Sequence, residues 1–585
     1  MDVKNKLQQL QKILKEKKLD GFLFSTTDEY INEYVPNEFK RLEYLTNFSG
    51  SFGLCIVLQD KACLFVDGRY TIQAKNEIDA SLFEVQLYSL LNIENFLKNN
   101  LLPKHIVAIN SKVIKIEEFN VYSNIINKLN MQTQVLQEHL VDLIKAPQIL
   151  SSNNTIYEYE IQYAGLSREH KINIVKDQLK KLKINYYLVT QLDNIAWLLN
   201  LRGCDVKCNP LFLSKLLVID NKKPCLFVNI KKIDLDLIRV LEKDIDIYEE
   251  EKLEEYLLSL HKDLLIGITN ITPYYYLHIL TNQSYKVHII DDVISNLKAN
   301  KNSIELQNTK KAHLRDGVYF VKLLKYVKEN YQQLYELDVV EKLKYYRMQD
   351  AQYKDDSFPS IVGCGSNGAI IHYRPSEKTN KKIARDDILL IDSGAQYLDG
   401  TTDSTRTISF NNTPANFKEK YTAVLKGHIN LASMIFKEGT KCCELDLLAR
   451  QFLWKMGLDY PHGTGHGVGV FLCVHEIGAR ISSYSNVVLT EGMIFSNEPG
   501  FYLENQYGIR LENLYVVVKS KYENFLQLQC LTFIPFELSN ILIDALSNEE
   551  KKWLNDYHTQ TYNNLLSTQI LSQDELFWLK QYMNL

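Results

Sequence analysis

At 585 residues the chain is too long to wrap a single hydrophobic core, so roughly two to four domains are expected. It is 45% hydrophobic and 24% charged, with a net charge of −4. That is the composition of a soluble globular protein, with no overall field to draw nucleic acid or an acidic membrane. No apolar run approaches the roughly 18 residues of a membrane span. The N-terminal stretch from Met1 to Leu7 is charged and amphipathic, without the apolar core of a signal peptide. The ten cysteines, among them Cys55, Cys364 and Cys473, follow no framework spacing. Reduced thiols in a cytoplasmic protein are therefore expected. Cys204 and Cys208 stand four apart, but no second pair completes a zinc site.

Along the chain, Val3, Leu7, Leu10, Ile13 and Leu14 recur at helical spacing. Gly21–Phe24 and Cys63–Val66 read as buried strands, the second running into a turn at Asp67-Gly68-Arg69-Tyr70. The pattern then recurs. Tyr44-Leu45-Thr46-Asn47-Phe48-Ser49-Gly50 matches Trp197-Leu198-Leu199-Asn200-Leu201-Arg202-Gly203. Upstream, Ser25 and Asp28 match Thr190 and Asp193; downstream, Cys63–Val66 matches Cys225–Val228. Three matches in one order predict two related α/β domains, 1–146 and 147–298. A third domain, 299–585, opens on a helix capped by Asn302 with Glu305 three residues on. Its last fifty residues, with Trp553, Leu554, Leu565, Leu566, Leu576 and Trp578, read as apolar helices.

The chemistry gathers between Ile388 and Val518. The apolar run Ile388–Ile391 ends in Asp392, and Asp403 follows eleven residues on in an alternating strand. A tight turn at Asp399-Gly400 would pair Asp392 with Thr407, so a longer loop or bulge is expected if both carboxylates share a face. His462, His466 and His475 fall within fourteen residues, His466 among glycines that let the backbone approach a ligand. Met493–Phe495 leads to Asn497-Glu498-Pro499-Gly500, and one return strand, Ile509 to Val518, is expected to carry Arg510 and Glu512 on one side. A carboxylate beside a core strand is costly unless paired or metal-bound; the plain alternative is an Arg510–Glu512 surface pair. His372 alone reads as a core histidine, and His428 as structural. One imidazole with four carboxylates is a hard, oxygen-rich donor set suited to manganese, with cobalt or zinc possible. Two such ions roughly 3.5–4 Å apart can share a hydroxide at neutral pH.

Asp392 and Asp403, His466 in Gly-Thr-Gly-His-Gly, Glu498 in Asn-Glu-Pro-Gly and Glu512 in Gly-Ile-Arg-Leu-Glu-Asn resemble the five-ligand signature of the pita-bread metallopeptidases. That family includes methionine aminopeptidase, prolidase and aminopeptidase P. The resemblance is strongest to the three-domain aminopeptidases P and runs nearly end to end, from Asp67-Gly68-Arg69-Tyr70 to the helices around Trp553. It implies two α/β domains of creatinase/prolidase N-terminal type before a pita-bread catalytic domain. It implies hydrolysis of the bond between a first residue and a second-position proline, by a hydroxide bridging two divalent ions. Asp392 would chelate one ion, His466 and Glu498 the other, with Asp403 and Glu512 bridging. His475 would stabilise the oxyanion. His372 would hold the proline end, and His462 would shuttle the proton to the leaving nitrogen. Glu498 would assist proton transfer, and Arg510, behind the ligands, would orient Glu512. The resemblance and the apolar terminal helices together imply a homodimer through the C-terminal domain. Prolidase and a non-catalytic pita-bread binding module are the alternatives; the duplicated α/β domain argues against the first and the complete ligand set against the second.

Overall fold

The matched stretches of the N-terminal half fold alike in the computed structural model, which describes residues 2–144 and 155–584. Each forms a six-stranded mixed sheet. In the first the strand order is Glu84–Leu87, Ala62–Val66, Leu54–Leu58, Gly21–Ser25, Ile106–Asn110, Gln132–Leu136. In the second it is Asp246–Tyr248, Cys225–Val228, Ser214–Ile219, Tyr186–Val189, Leu265–Ile268, Lys286–Ile289. Strand for strand the two orders are the same. The inner strands are buried along almost their whole length, which is why they read as continuous apolar runs and not as alternating ones. The matched asparagines have a shared backbone task. Asn47 (φ 64°) ends the helix Arg41–Thr46 and Asn200 (φ 49°) ends Leu192–Leu199, both in the left-handed region that asparagine tolerates. The boundary expected at 146 and 147 lies outside the described residues.

These two sheets belong to one compact unit, Met1–Glu160 with Leu166–Ile294; the second unit is Ser295–Leu585 with Ile161–Gly165. The short segment 161–165 joins the second unit because Asn302 and Asn308 donate side-chain hydrogen bonds to the carbonyls of Ala164 and Gln162.

The second unit opens on the helix Ser303–Asn330, with the expected capping box between Asn302 and Glu305. Two three-stranded sheets follow: Tyr353–Asp356, Ala395–Tyr397, Gly400–Thr401, and Ile361–Cys364, Ile388–Asp392, Thr405–Ser409. A six-stranded sheet then orders Ile435–Lys437, Phe525–Cys530, Asn513–Lys519, Ile494–Asn497, Gly465–Gly467 and Glu476–Ile481. The terminal helices Asn548–Ser567 and Gln573–Tyr582 pack on Ser303–Asn330 through Leu565, Leu576 and Leu579. Their apolar side chains therefore serve mainly the unit's own core, and little of that surface is left for self-association; Leu566 and Phe577 alone among these helices' large apolar residues are strongly exposed. All ten cysteines are free thiols. No described helix is long and apolar enough to cross a membrane.

Candidate active site

The hairpin that carries the two aspartates has its tip one residue nearer the N-terminus than its Asp399-Gly400 signal predicts, which shifts the pairing by two. Tyr397 pairs with Gly400, so Leu398 and Asp399 form the tip, and Asp392 faces Thr405 instead of Thr407. Backbone hydrogen bonds from Ser393 to Ser404 and from Thr402 to Ala395 carry one register along the hairpin. Asp403, two residues before Thr405, therefore shares a face with Asp392, and no bulge is needed. The tip is displaced because Asp399 is held by Arg315 at 2.5 Å.

The return strand is also not continuous. Tyr507–Arg510 pairs with Gly500–Leu503, while Asn513–Lys519 pairs with Ile494–Asn497. Leu511 and Glu512 lie in the break. There the Glu512 amide donates to the Thr405 carbonyl, and the Thr405 hydroxyl donates to Glu512 Oε2 at 2.7 Å. His428 supports the break from behind, its Nδ1 3.2 Å from the Leu511 carbonyl and its Nε2 3.0 Å from the Tyr515 hydroxyl. Burial holds that imidazole down to about 3, as befits a structural histidine.

His466 comes from the strand Gly465–Gly467. Gly465 is required by the neighbouring strand and not by a ligand: a Cβ there would stand 1.7 Å from the Ser496 carbonyl oxygen. The His466 Nδ1 lies 3.0 Å from the Gly467 carbonyl. With Nδ1 donating there, Nε2 lies 3.4 Å from both Asp403 Oδ2 and Glu498 Oε1: protonated it donates to them, and deprotonated it offers its lone pair to an ion. Ser496 donates to that same Glu498 oxygen.

Asp403, His466 and Glu512 bring ligand atoms within 4.8 Å of one another. Asp392 adds its charge to Asp403. Asp392 Oδ1, Asp403 Oδ1 and Glu512 Oε1 are buried without a hydrogen-bond partner. Burial, with the charges of Asp392 and Glu498, raises Asp403 to about 6 despite its bond to His466. Burial and the neighbouring carboxylates push Glu512 well up. Burial opposes charge on His466, but Asp403 and Glu498 outweigh it and raise the imidazole to about 9. Crowded acids with unpaired oxygens are the electrostatic complement of multivalent cations, and the residues fit a metal pair.

Arg510 is buried, which removes the surface-pair alternative. Its direct carboxylate partner is Asp392, at 2.6 Å, and not Glu512; it approaches Glu512 through the Thr405 hydroxyl at 3.3 Å. Its other arm donates to the Tyr502 hydroxyl at 2.7 Å, which lies 2.8 Å from His462 Nε2. His475 packs edge-on to His466 with ring centroids 4.3 Å apart. His372 follows Ile371, whose carbonyl accepts from Arg510. The Tyr373 hydroxyl is turned into a buried network with Glu336 and Thr379, so it contributes no polar group to a substrate pocket. Tyr502, Thr405 and Ser496 join the site without any sequence signal beyond lying near the candidate ligands.

Residues 307–519 match "Metallopeptidase family M24", and 524–584 match its C-terminal region. Residues 6–139 and 145–305 each match a "Creatinase/Prolidase N-terminal domain". A "Probable Xaa-Pro aminopeptidase P" from Laccaria bicolor is 33% identical, over 98% of this chain and 92% of its own. The structure of an X-prolyl aminopeptidase from Caenorhabditis elegans, described as a cytosolic enzyme with a di-nuclear active site, superposes with TM-score 0.95 at 29% identity. That match covers 100% of this chain and 99% of the other. A prolidase from Pyrococcus horikoshii superposes at TM-score 0.51 and 25% identity, covering 63% of this chain and 99% of its own. Two creatinase-type domains ahead of a pita-bread metallopeptidase domain, matched end to end by such relatives, make this chain a member of the Xaa-Pro aminopeptidase P family of metal-dependent aminopeptidases.

Proposed function

We propose that the chain releases the first residue of peptides whose second residue is proline, using Asp392, Asp403, His466, Glu498 and Glu512 to hold two divalent ions. The observation that carries this reading is the set of buried, unpartnered carboxylate oxygens around His466. Asp403 and Glu512 would be shared between the ions, with Asp392 serving one and His466 and Glu498 the other. Manganese suits the donor set, with cobalt or zinc able to replace it. Such a pair, when bound, supplies Lewis acidity and an acidic water near neutral pH.

The protein's own groups do the rest. His475, set edge-on to His466, donates to the oxygen that gains charge. His372 holds the proline side. Glu498 takes part in proton transfer, and His462 serves the leaving nitrogen, which has no hydrogen of its own in an Xaa-Pro bond. The Tyr502 hydroxyl lies between His462 and Arg510, which in turn holds Asp392, so the imidazole and Asp392 share one hydrogen-bonded frame. The duplicated α/β module favours peptides over dipeptides alone, and the Pyrococcus horikoshii prolidase matches only 63% of this chain.

Mass spectrometry on Arg-Pro-Pro-Gly, its N-acetylated form, Arg-Ala-Pro-Gly and Arg-Pro tests the reading. Arginine should leave the first peptide alone or much faster than the others. Comparable release from Arg-Ala-Pro-Gly would reject proline selectivity, and cleavage of Arg-Pro alone would make the chain a prolidase.

We place the enzyme in the cytoplasm, which the ten free thiols support, with domain limits at 146/147 and 298/299. It works as a homodimer through the C-terminal domain. Leu447, Trp454 and Met456, exposed on and just beyond the helix Cys442–Trp454, support that surface better than the terminal helices do. Light scattering should show a dimer that Trp454→Glu dissociates; a monomeric unaltered protein would reject it.

A further inference from the structure

Behind the aspartate hairpin lies an ion pair that none of the site chemistry uses. Asp316, in the helix Ser303–Asn330, and Arg347, the last residue of the helix Glu336–Arg347, are both buried and joined by two hydrogen bonds of 2.8 and 3.1 Å. The pair reaches both limbs of the hairpin. Arg347 donates to the Ser393 hydroxyl at 2.7 Å and to the Gly394 carbonyl at 3.1 Å, immediately after Asp392. Asp316 accepts from the Tyr397 hydroxyl and from the Thr402 hydroxyl, each at 2.8 Å, the latter immediately before Asp403.

We infer that Asp316 and Arg347 form a positioning clamp that sets the separation of Asp392 and Asp403 before any ion binds. The clamp acts on the site through geometry. The two charges sum to zero, so the pair adds no net charge beside the site, yet it ties the limbs at the residues flanking the two aspartates. Carboxylates that close repel one another, and a frame that resists their parting lowers the cost of bringing them to an ion. A half-paired Asp316 or Arg347 would be a buried uncompensated charge, so single substitutions of the pair would confuse clamp with fold.

The inference rests on Asp392 and Asp403 being ligands, and the experiment separates the two claims. Ion-stripped protein is titrated calorimetrically with Mn2+, with circular dichroism and thermal unfolding as the check on fold. Tyr397→Phe deletes one bond to Asp316. Thr402→Val deletes another, with the bond its oxygen accepts from the Ala395 amide. Asp316→Leu with Arg347→Met removes the clamp at constant net charge. Each folded variant should bind Mn2+ at least about tenfold more weakly. Its kcat should recover at saturating Mn2+ with KM near the unaltered value, a recovery that general loosening of the fold would not give. Folded Tyr397→Phe and Thr402→Val proteins with unaltered Mn2+ affinity would overturn the clamp. Failure of the unaltered protein to bind Mn2+ would overturn the ligand reading, and the clamp with it.

Discussion

Arg510 and Asp392 are joined by a buried, charge-assisted hydrogen bond of 2.6 Å, and the same guanidinium holds Tyr502 at 2.7 Å. One planar fork thus orients a carboxylate with a free second oxygen and a phenol that faces His462. Lysine presents a single point charge and cannot reproduce both directions. Arg510→Lys should therefore lower kcat and Mn2+ affinity together, by about 10–100-fold. Steady-state kinetics beside a Mn2+ titration would check this; unchanged values in both would show that the fork has no part in the site.

Tyr502→Phe keeps the ring and removes only the hydroxyl between His462 and Arg510. If His462 handles the proton of the leaving nitrogen, kcat should fall by about tenfold or more while KM stays within about twofold, a fraction of what a positioned acid supplies. An equal change in KM with kcat intact would instead make Tyr502 a substrate contact.

Glu512→Ala should abolish paired ion binding and turnover together, since Glu512 brings one of the unpartnered oxygens and is tied to Thr405 by both backbone and side chain. Metal content by mass spectrometry and peptide hydrolysis would be read on the same sample. Two retained ions with full turnover would sink the bridging assignment.

Four buried histidines set an acid limit on stability, among them His139, which burial and the Arg41 charge hold well down. Burial holds His313 down to about 4 and His428 and His558 to about 3, against about 6.5 in the unfolded chain. As pH falls below about 6.5 the unfolded chain takes up protons that the folded one refuses. Stability is then lost, by about 1.4 kcal/mol per pH unit for each histidine, until the folded values are reached. His558 accepts the Phe536 amide at 3.1 Å, a role glutamine can fill. His558→Gln should make urea stability fall less steeply between about pH 6 and about pH 5, by one histidine's share. Parallel slopes would refute the buried neutral imidazole.

The sequence pointed to the candidate ligands because their chemistry is local, and the structure brings Asp403, His466 and Glu512 together. Asp392 ends an apolar strand and Glu498 follows another, so each is conspicuous where a carboxylate is costly. The paired asparagines betrayed the duplicated domain because a left-handed helix cap constrains residue type. Arg510 showed the limit. Its spacing from Glu512 suggested one shared strand, but the break at Leu511 sends it to Asp392, a partner 118 residues away. Asp399 misled in the same way: its turn signal is real, but the bond to Arg315, 84 residues earlier, moves the tip. Tyr502, Thr405 and the Asp316–Arg347 pair depend wholly on such distant contacts, and no periodicity records them.

The register of the aspartate hairpin imposes a parity rule on its length. A single residue inserted into either limb, 393–397 or 400–402, would shift the pairing by one and carry Asp403 to the opposite face from Asp392. Nor is the tip free to absorb the addition, since Asp399 is fastened to Arg315. The eleven-residue interval between the two aspartates is therefore a mechanical dimension of the enzyme. An insertion there should silence it even when every ligand, and every residue that holds one, is still present.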